Sequence, residues 1–209
     1  EDTRMRLMSL RDKLIKKLKE EKAVLIGKVT LDELAMGGTG TTGHLGITYN
    51  PYDPTHTYMV GGSSCGSASV VASGIVPFSL GSDTGDSVRK PASYAGLVGF
   101  KPTWGRISRY GVIPYASSLD HVGFFTTCIK DACRMLEVCS GRDDKDMTSS
   151  FEKVDNYLDL KSAKGSRIAV ISEILDSVTN ANLKNNFNDF VNKLKENGFK
   201  FWLDRLAYN

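Results

Sequence analysis

The sequence lacks the side-chain spacing that metal sites and disulfide frameworks need. Its four cysteines, Cys65, Cys128, Cys133 and Cys139, form no CxxC pair, and only three histidines accompany them. A chain of 209 residues is also long enough to build a hydrophobic core without covalent cross-links. We therefore expect free, mostly buried thiols in a reducing compartment, and no metal site.

Long apolar runs and strong charge are also missing. No stretch of 18 apolar residues occurs, and the first residues, EDTRMRLMSLRDKL, contain no signal-peptide core. The net charge of +3 is too small to indicate a dedicated nucleic-acid surface. These features predict no membrane contact and a cytoplasmic location.

Hydrophobic periodicity alternates along the chain between patterns typical of strands and of helices. Helix patterns cover residues 3–21, 67–74, 129–139 and 183–194, with a further helix start at 31–34, and strand patterns cover 23–29, 76–83, 166–172 and 199–203. Between them, residues 36–62 form a long loop rich in Gly, Thr and Pro, of the kind that often carries function. The alternation predicts an α/β fold with a mixed, mostly parallel sheet flanked by helices.

Two small-residue turns are the most informative local feature. GGSSCGSASVV begins at Gly61 and GSDTGDSVRKP begins at Gly81, which places Ser63 and Ser87 in similar settings. Glycine lets a backbone approach a ligand closely, and successive N–H groups in such a turn can stabilise an oxyanion. Phosphate binding is an alternative, although GGSSCGSA has neither the GxxxxGK[ST] nor the GxGxxG pattern. Taken singly, each turn is also compatible with an ordinary loop.

The whole segment from Gly61 to Ser108, GGSSCGSASVVASGIVPFSLGSDTGDSVRKPASYAGLVGFKPTWGRIS, resembles the amidase signature. The flanks IGKVTLDELAMGG and SRYGVIPYASSLDHVGFFTT resemble the A-type (glutaminase) subunits of glutamyl-tRNA(Gln) amidotransferases within that family. The resemblance covers roughly residues 5–200. It implies that residues 1–209 form the central part of a single domain with the amidase signature fold, and that this fold is only partly represented.

The resemblance also implies roles for individual residues. Ser87 would be the acyl nucleophile and Ser63 a bridging serine next to a non-proline cis peptide bond. Backbone N–H groups would form the oxyanion hole at Thr84, Gly85, Asp86 and Ser87. Asp83 and Arg89 would fix the turn, with a plain structural ion pair as the alternative. The substrate pocket would be bordered by Met36, Gly37, Gly38 and Thr39.

The reaction implied by the family is hydrolysis of the glutamine side-chain amide, which supplies ammonia for conversion of Glu-tRNA(Gln) to Gln-tRNA(Gln). The implied partners are B- and C-type subunits, with tRNA reached through the complex. ATP and magnesium would belong to a partner subunit, and this subunit would need no cofactor. The alternatives are a free-standing amidase acting on another amide and a non-catalytic scaffold with the amidase fold.

Two departures from the family pattern qualify this interpretation. Asp86 stands where the family usually has glycine, and a carboxylate facing the oxyanion hole would oppose the developing negative charge. The catalytic lysine and the C-terminal, substrate-gripping part are expected outside residues 1–209, so the chain alone is expected to be inactive. Lys28, the internal candidate for that lysine, is better interpreted as structural. We also expect structural or surface roles for Lys101, His44, His56 and His121.

Overall fold

A computed structural model describes residues 13–159 and 163–204, and these fall into two units. The first unit is Glu1–Leu158 and the second is Asp159–Asn209. Both predicted serine turns lie in the first unit.

The first unit is built on a three-stranded antiparallel sheet. Its strands are β1 (Phe78–Asp83), β2 (Val98–Phe100) and β3 (His121–Thr126), in the spatial order β1-β3-β2. In the register, Leu80 lies opposite Phe124, and Phe124 in turn lies opposite Phe100. The central strand therefore has a paired neighbour along each edge.

In the described residues, four α-helices accompany this sheet, together with a 3₁₀ turn at Glu33–Ala35. The helices are α1 (Leu14–Glu20), α2 (Cys65–Ala72), α3 (Arg89–Tyr94) and α4 (Ile129–Cys139). Two hydrophobic clusters hold them. One joins α1 and α4 to Phe124, and the other joins α2 and α3 to Phe125. Successive side chains of a strand point to opposite faces, so these two adjacent phenylalanines serve one cluster each.

The second unit pairs two parallel strands connected through helices. It contains β4 (Arg167–Ile171), α5 (Ser172–Ser177), α6 (Ala181–Glu196) and β5 (Lys200–Asp204), with β4 alongside β5. The Asn180 side chain caps α6 by accepting the Leu183 N–H at 3.0 Å. Beyond the other end of α6, Gly198 adopts φ +86°, which suits the reversal after a helix.

The predicted α/β class is confirmed, although the proportion of strand pairings differs from the expectation. Of the pairings in the described residues, β1–β3 and β2–β3 are antiparallel, and β4–β5 is parallel. Alternating helices and strands favoured parallel crossovers, whereas the chain between β2 and β3 simply reverses. The helix predicted for residues 3–21 is seen from Leu14 to Glu20, and residues 3–12 of it lie outside the described residues.

The buried strand predicted at residues 23–29 is wrong. This part of the described chain is irregular, and Val24 and Ile26 are 78% and 69% exposed. Apolar composition shows that a segment would gain from burial, but a strand also needs a neighbouring backbone to take its hydrogen bonds. No strand in the described residues pairs with residues 23–29.

All four cysteines are free thiols, as predicted, with Cys65 and Cys139 buried and Cys128 exposed. Burial raises the pKa of Cys65, and it raises the pKa of Cys139 to about 12. Both buried sulfurs are therefore protonated at neutral pH. None of the helices in the described residues is long and apolar enough to cross a bilayer.

The position of Phe124 predicts a large loss of stability on truncation. Phe124 is fully buried and its ring stacks on Phe100 with centroids 5.4 Å apart. We expect Phe124→Ala to lower the free energy of unfolding by about 3–5 kcal/mol because it leaves a cavity in the sheet. Urea unfolding followed by circular dichroism measures this. The exposed Leu45→Ala is the control, and a comparable loss in both variants would contradict the assignment of Phe124 to the core.

Candidate active site

The two serine turns lie against each other at the start of two helices. Ser63 lies just before α2 and Ser87 just before α3. The backbone N–H of Ser64 donates to the carbonyl of Ser87 at 3.2 Å, so the turns are directly joined. The peptide bond between Gly62 and Ser63 is cis, as the resemblance implies.

Strand β1 holds the first turn in place. The Ser64 hydroxyl lies 3.1 Å from both the carbonyl and the N–H of Ser82, donating to one and accepting from the other. Ser67 adds a hydrogen bond from its hydroxyl to the Leu80 carbonyl at 2.7 Å. A Cβ at Gly81 would lie 2.8 Å from the Ser64 hydroxyl, so only glycine lets the turn pack this closely. The same strand ends at the second turn and therefore fixes the spacing of both serines.

The Ser63 hydroxyl is buried and has no hydrogen-bond partner in the described part of the chain. A buried hydroxyl without a partner costs about 1–3 kcal/mol, and such groups are rare in folded proteins. Ser87 nearby is also almost fully buried. The arrangement leaves one hydroxyl free to exchange a proton with a further group.

Asp83, at the end of β1, organises the second turn. Its carboxylate accepts a hydrogen bond from the N–H of Val88 at 2.9 Å. Arg89 donates two more to it, from Nε at 3.2 Å and from Nη2 at 2.9 Å. Burial opposes ionisation of Asp83, but the hydrogen bonds from Arg89 and Val88 outweigh it and lower its pKa. Arg89, whose pKa is raised chiefly by its hydrogen bonds to Asp83, also donates to the Gly85 carbonyl. The ion pair thus contacts the turn directly.

The N–H groups predicted to form an oxyanion hole are free to bind a ligand. Among the described residues, no acceptor takes a hydrogen bond from the N–H of Thr84, Gly85, Asp86 or Ser87. The Thr84 hydroxyl donates to buried Asp120 at 2.6 Å, which anchors the start of the turn. Around Gly85 there is open space where a side chain would be. A turn with several unused donors can stabilise an oxyanion.

Asp32 holds the loop that contains the predicted pocket residues, a role that was not predicted from the sequence. Its buried carboxylate accepts the N–H of Thr39 at 3.1 Å, of Gly40 at 3.0 Å and of Thr42 at 3.0 Å. Its own N–H donates to the Ser63 carbonyl at 2.9 Å. The expectation of a helix start at residues 31–34 gave no sign of this role, because these N–H groups lie beyond the two-residue reach of an aspartate turn.

The predicted pocket residues lie in the loop that Asp32 anchors. Met36 is largely exposed, and a Cβ at Gly37 would lie 2.5 Å from the Asp32 Cβ. Gly38 faces the α3 side, where a Cβ would lie 2.7 Å from Lys90 Nζ. Through Asp32 and Lys90, this loop is tied to both serine turns.

His121 and Lys101 form a polar pair beside β1. Lys101 Nζ lies 3.2 Å from His121 Nε2, and the other ring nitrogen, Nδ1, faces the Leu119 carbonyl. Burial and the nearby Lys101 charge lower the pKa of His121. A neutral ring with its proton on Nδ1 satisfies both contacts, which suits the structural roles expected for the two residues.

The remaining candidates lie on the surface. His56 stacks on Tyr49 with ring centroids 3.9 Å apart, while His44 and Lys28 are exposed. Within residues 13–159 and 163–204, no three His, Cys, Asp or Glu side chains are grouped so that they could hold a metal ion.

The Asp83 carboxylate predicts a pH-dependent contribution to stability. A folded-state pKa below the unfolded value of about 3.9 stabilises the protein above about pH 4, and this contribution disappears as the pH falls further. We expect Asp83→Asn to cost about 2 kcal/mol at pH 7, with the difference from the parent shrinking below about pH 4. Urea unfolding at several pH values tests this. The exposed Asp144→Asn is the control, and a difference independent of pH would contradict the assignment.

The Asp32 contacts predict local opening of the glycine loop. We expect Asp32→Ala to speed hydrogen exchange at the amides of Thr39, Gly40 and Thr42 by at least about tenfold, because all three lose their acceptor. Amide exchange measured by NMR or mass spectrometry gives the rates. Glu33→Ala, at the exposed neighbouring position, is the control, and unchanged protection in Asp32→Ala would refute the anchoring role.

Known proteins match the region of this chain that contains both serine turns. The sequence profile of the Amidase family matches residues 10–202. The A-type subunit of glutamyl-tRNA(Gln) amidotransferase from Staphylococcus epidermidis is 49% identical over 187 residues, which cover 88% of this chain and 38% of that protein. The protein of the same name from Staphylococcus saprophyticus is 48% identical over 184 residues, 87% of this chain and 38% of that protein. The chain thus spans less than two fifths of the length of these relatives.

Solved structures show the same fold. The crystal structure of the A-type glutamyl-tRNA(Gln) amidotransferase subunit from Thermotoga maritima matches with a TM-score of 0.86 and 40% identity, over 93% of this chain and 43% of that one. Allophanate hydrolase from Kluyveromyces lactis matches with a TM-score of 0.79 and 35% identity, over 92% of this chain and 31% of that one. The joined serine turns, the profile match and these structural similarities place the chain in the amidase family.

Proposed function

We propose that this chain carries the nucleophile and oxyanion turns of a glutaminase subunit in a tRNA-dependent amidotransferase. The observation that carries the proposal is the buried Ser63 hydroxyl, which lacks a partner in the described residues and lies in a turn bonded to Ser87. A serine is a weak nucleophile until its proton is removed, and a neighbouring hydroxyl can relay that proton. The similarity to the A-type subunits of glutamyl-tRNA(Gln) amidotransferases supports glutamine as the substrate.

The proposed chemistry has two stages. The Ser87 oxygen attacks the side-chain amide carbon of glutamine while its proton passes through Ser63 towards a base, and the free N–H groups of residues 84–87 stabilise the oxyanion. The amide nitrogen leaves as ammonia after taking up a proton, which leaves a glutamyl ester on Ser87. Water then attacks the ester, releasing glutamate and restoring the serine. In the family pattern the base is a lysine upstream of α1.

The ammonia is proposed to pass to B- and C-type partner subunits, which convert Glu-tRNA(Gln) to Gln-tRNA(Gln). ATP and magnesium would serve that second reaction in the partner. The residues that we assign to glutamine hydrolysis are serines and backbone N–H groups, and the proposed steps require no cofactor in this subunit.

A second candidate is an amidase that acts alone on another amide. The similarity to allophanate hydrolase favours it, because the name of that protein gives a substrate other than glutamine. A non-catalytic scaffold is less compatible with the site, since it would have no use for a free buried hydroxyl beside unused N–H donors.

Substitution of Ser87 tests the proposal. We expect Ser87→Ala to lower ammonia release from glutamine by at least about a thousandfold, because the ester can no longer form. Ser63→Ala should cause a loss of similar scale by interrupting the proton relay. The measurement uses the complete gene product assembled with its partner subunits, and both kcat and KM are determined.

Ser73→Ala is the matched control, because the exposed Ser73 hydroxyl, at the end of α2, donates to the Ser69 carbonyl. It should leave the rate within about twofold of the parent. Undiminished ammonia release from Ser87→Ala would contradict the nucleophile assignment. Hydrolysis of other amides without any glutamine turnover would favour the second candidate.

A further inference from the structure

A charged side chain lies in the predicted oxyanion turn, and the structure shows where it points. The Asp86 carboxylate is half exposed and lies 3.0 Å from Lys90 Nζ, one helical turn further along the chain. The Asp86 carbonyl also accepts the Lys90 N–H at 2.8 Å, so the pair links the serine turn to the start of α3. The carboxylate is therefore neutralised within the turn that carries Ser87.

Lys90 contacts a second wall of the site. A Cβ at Gly38 would lie 2.7 Å from Lys90 Nζ, so the ammonium occupies space that any other residue at 38 would fill. Its side chain is only about one quarter exposed, at 27%. Lys90 thus bridges the nucleophile turn and the glycine loop that Asp32 anchors.

Charge next to an oxyanion hole affects the reaction directly. A carboxylate within several Ångström of a developing oxyanion raises the energy of the transition state, and a cation paired with it cancels most of that effect. The backbone N–H of Asp86 is one of the free donors in the described turn, so its side chain branches from the residue next to the proposed oxyanion position. Without Lys90, this repulsion would be uncompensated.

We propose that Lys90 is a positioning residue that holds the Asp86 carboxylate away from the oxyanion hole and neutralises it. The proposal rests on the proposed function only in taking Ser87 as the nucleophile. It does not depend on which amide is hydrolysed. Lys90 acts through Asp86 and contacts no reacting atom itself.

The experiment measures how fast a neutral alkyl fluorophosphonate labels Ser87 in the complete gene product, followed by intact mass. Phosphonylation releases fluoride and passes through a transition state with negative oxygen, as amide hydrolysis does. We expect Lys90→Met to lower the rate at saturating probe by roughly 3- to 10-fold, with the half-saturating concentration unchanged. In an Asp86→Asn background, which keeps the backbone N–H, the same substitution should change the rate by less than about twofold.

Controls separate this role from a loss of folding. Lys16→Met removes another i,i+4 ion pair, Lys16–Glu20 at 3.9 Å, on the exposed face of α1, and should leave the labelling rate unchanged. Thermal midpoints of all variants are measured in parallel. The proposal would be overturned if Lys90→Met lowered the labelling rate equally in the parent and in the Asp86→Asn background. It would also be overturned if Lys90→Met changed only the half-saturating probe concentration.

The outcomes also distinguish this inference from the proposed function. Ser87 labelling that depends on Lys90, in a protein that releases no ammonia from glutamine, would sustain the role of Lys90 and overturn the glutaminase assignment. If the parent releases ammonia from glutamine and Lys90→Met changes neither that rate nor the rate of Ser87 labelling, the glutaminase assignment stands and the role of Lys90 is overturned. A parent protein in which Ser87 is not labelled at all would overturn both.

Discussion

The contact between the two serine turns is the constraint on which the site depends. The hydrogen bond from the Ser64 N–H to the Ser87 carbonyl joins segments that precede different helices. It can form because the last two residues of β1 contact both turns: Ser82 bonds to the Ser64 side chain, and the Asp83 carboxylate accepts the Val88 N–H. The Ser63 and Ser87 backbones are therefore positioned by one strand and its hydrogen bonds, and only small residues allow such close packing.

Much of this local arrangement could be predicted from the sequence because the signals are short-range. Dense glycine and serine indicated the two turns, and the family resemblance singled out Ser63 and Ser87 within them. Apolar and helical patterns indicated β1, α4 and α6. The cis peptide before Ser63 came from the family resemblance alone. Strand pairing could not be obtained in the same way. The apolar run at residues 23–29 carries no information about whether a neighbouring backbone is present, and in the described structure none pairs with it.

The direction of individual side chains was the other property that could not be predicted from the sequence. The sequence pattern predicts Asp32 as part of a helix start, whereas in the structure its carboxylate accepts N–H groups seven to ten residues further on. For Asp86, the sequence left open whether the carboxylate faces inward or outward. Its pairing with Lys90 depends on α3 beginning at Arg89, because only a helical turn brings residues four apart together. Element boundaries are fixed by the folded environment more than by composition.

The buried thiol of Cys65 has a practical consequence for chemical studies. It lies two residues from Ser63. Because burial raises its pKa and shields its sulfur from solvent, cysteine-directed electrophiles should react slowly there. Cys128, by contrast, is exposed at the start of α4. A maleimide dye would therefore react at Cys128 more readily than at Cys65 beside the first serine turn, so Cys65 need not be removed before labelling.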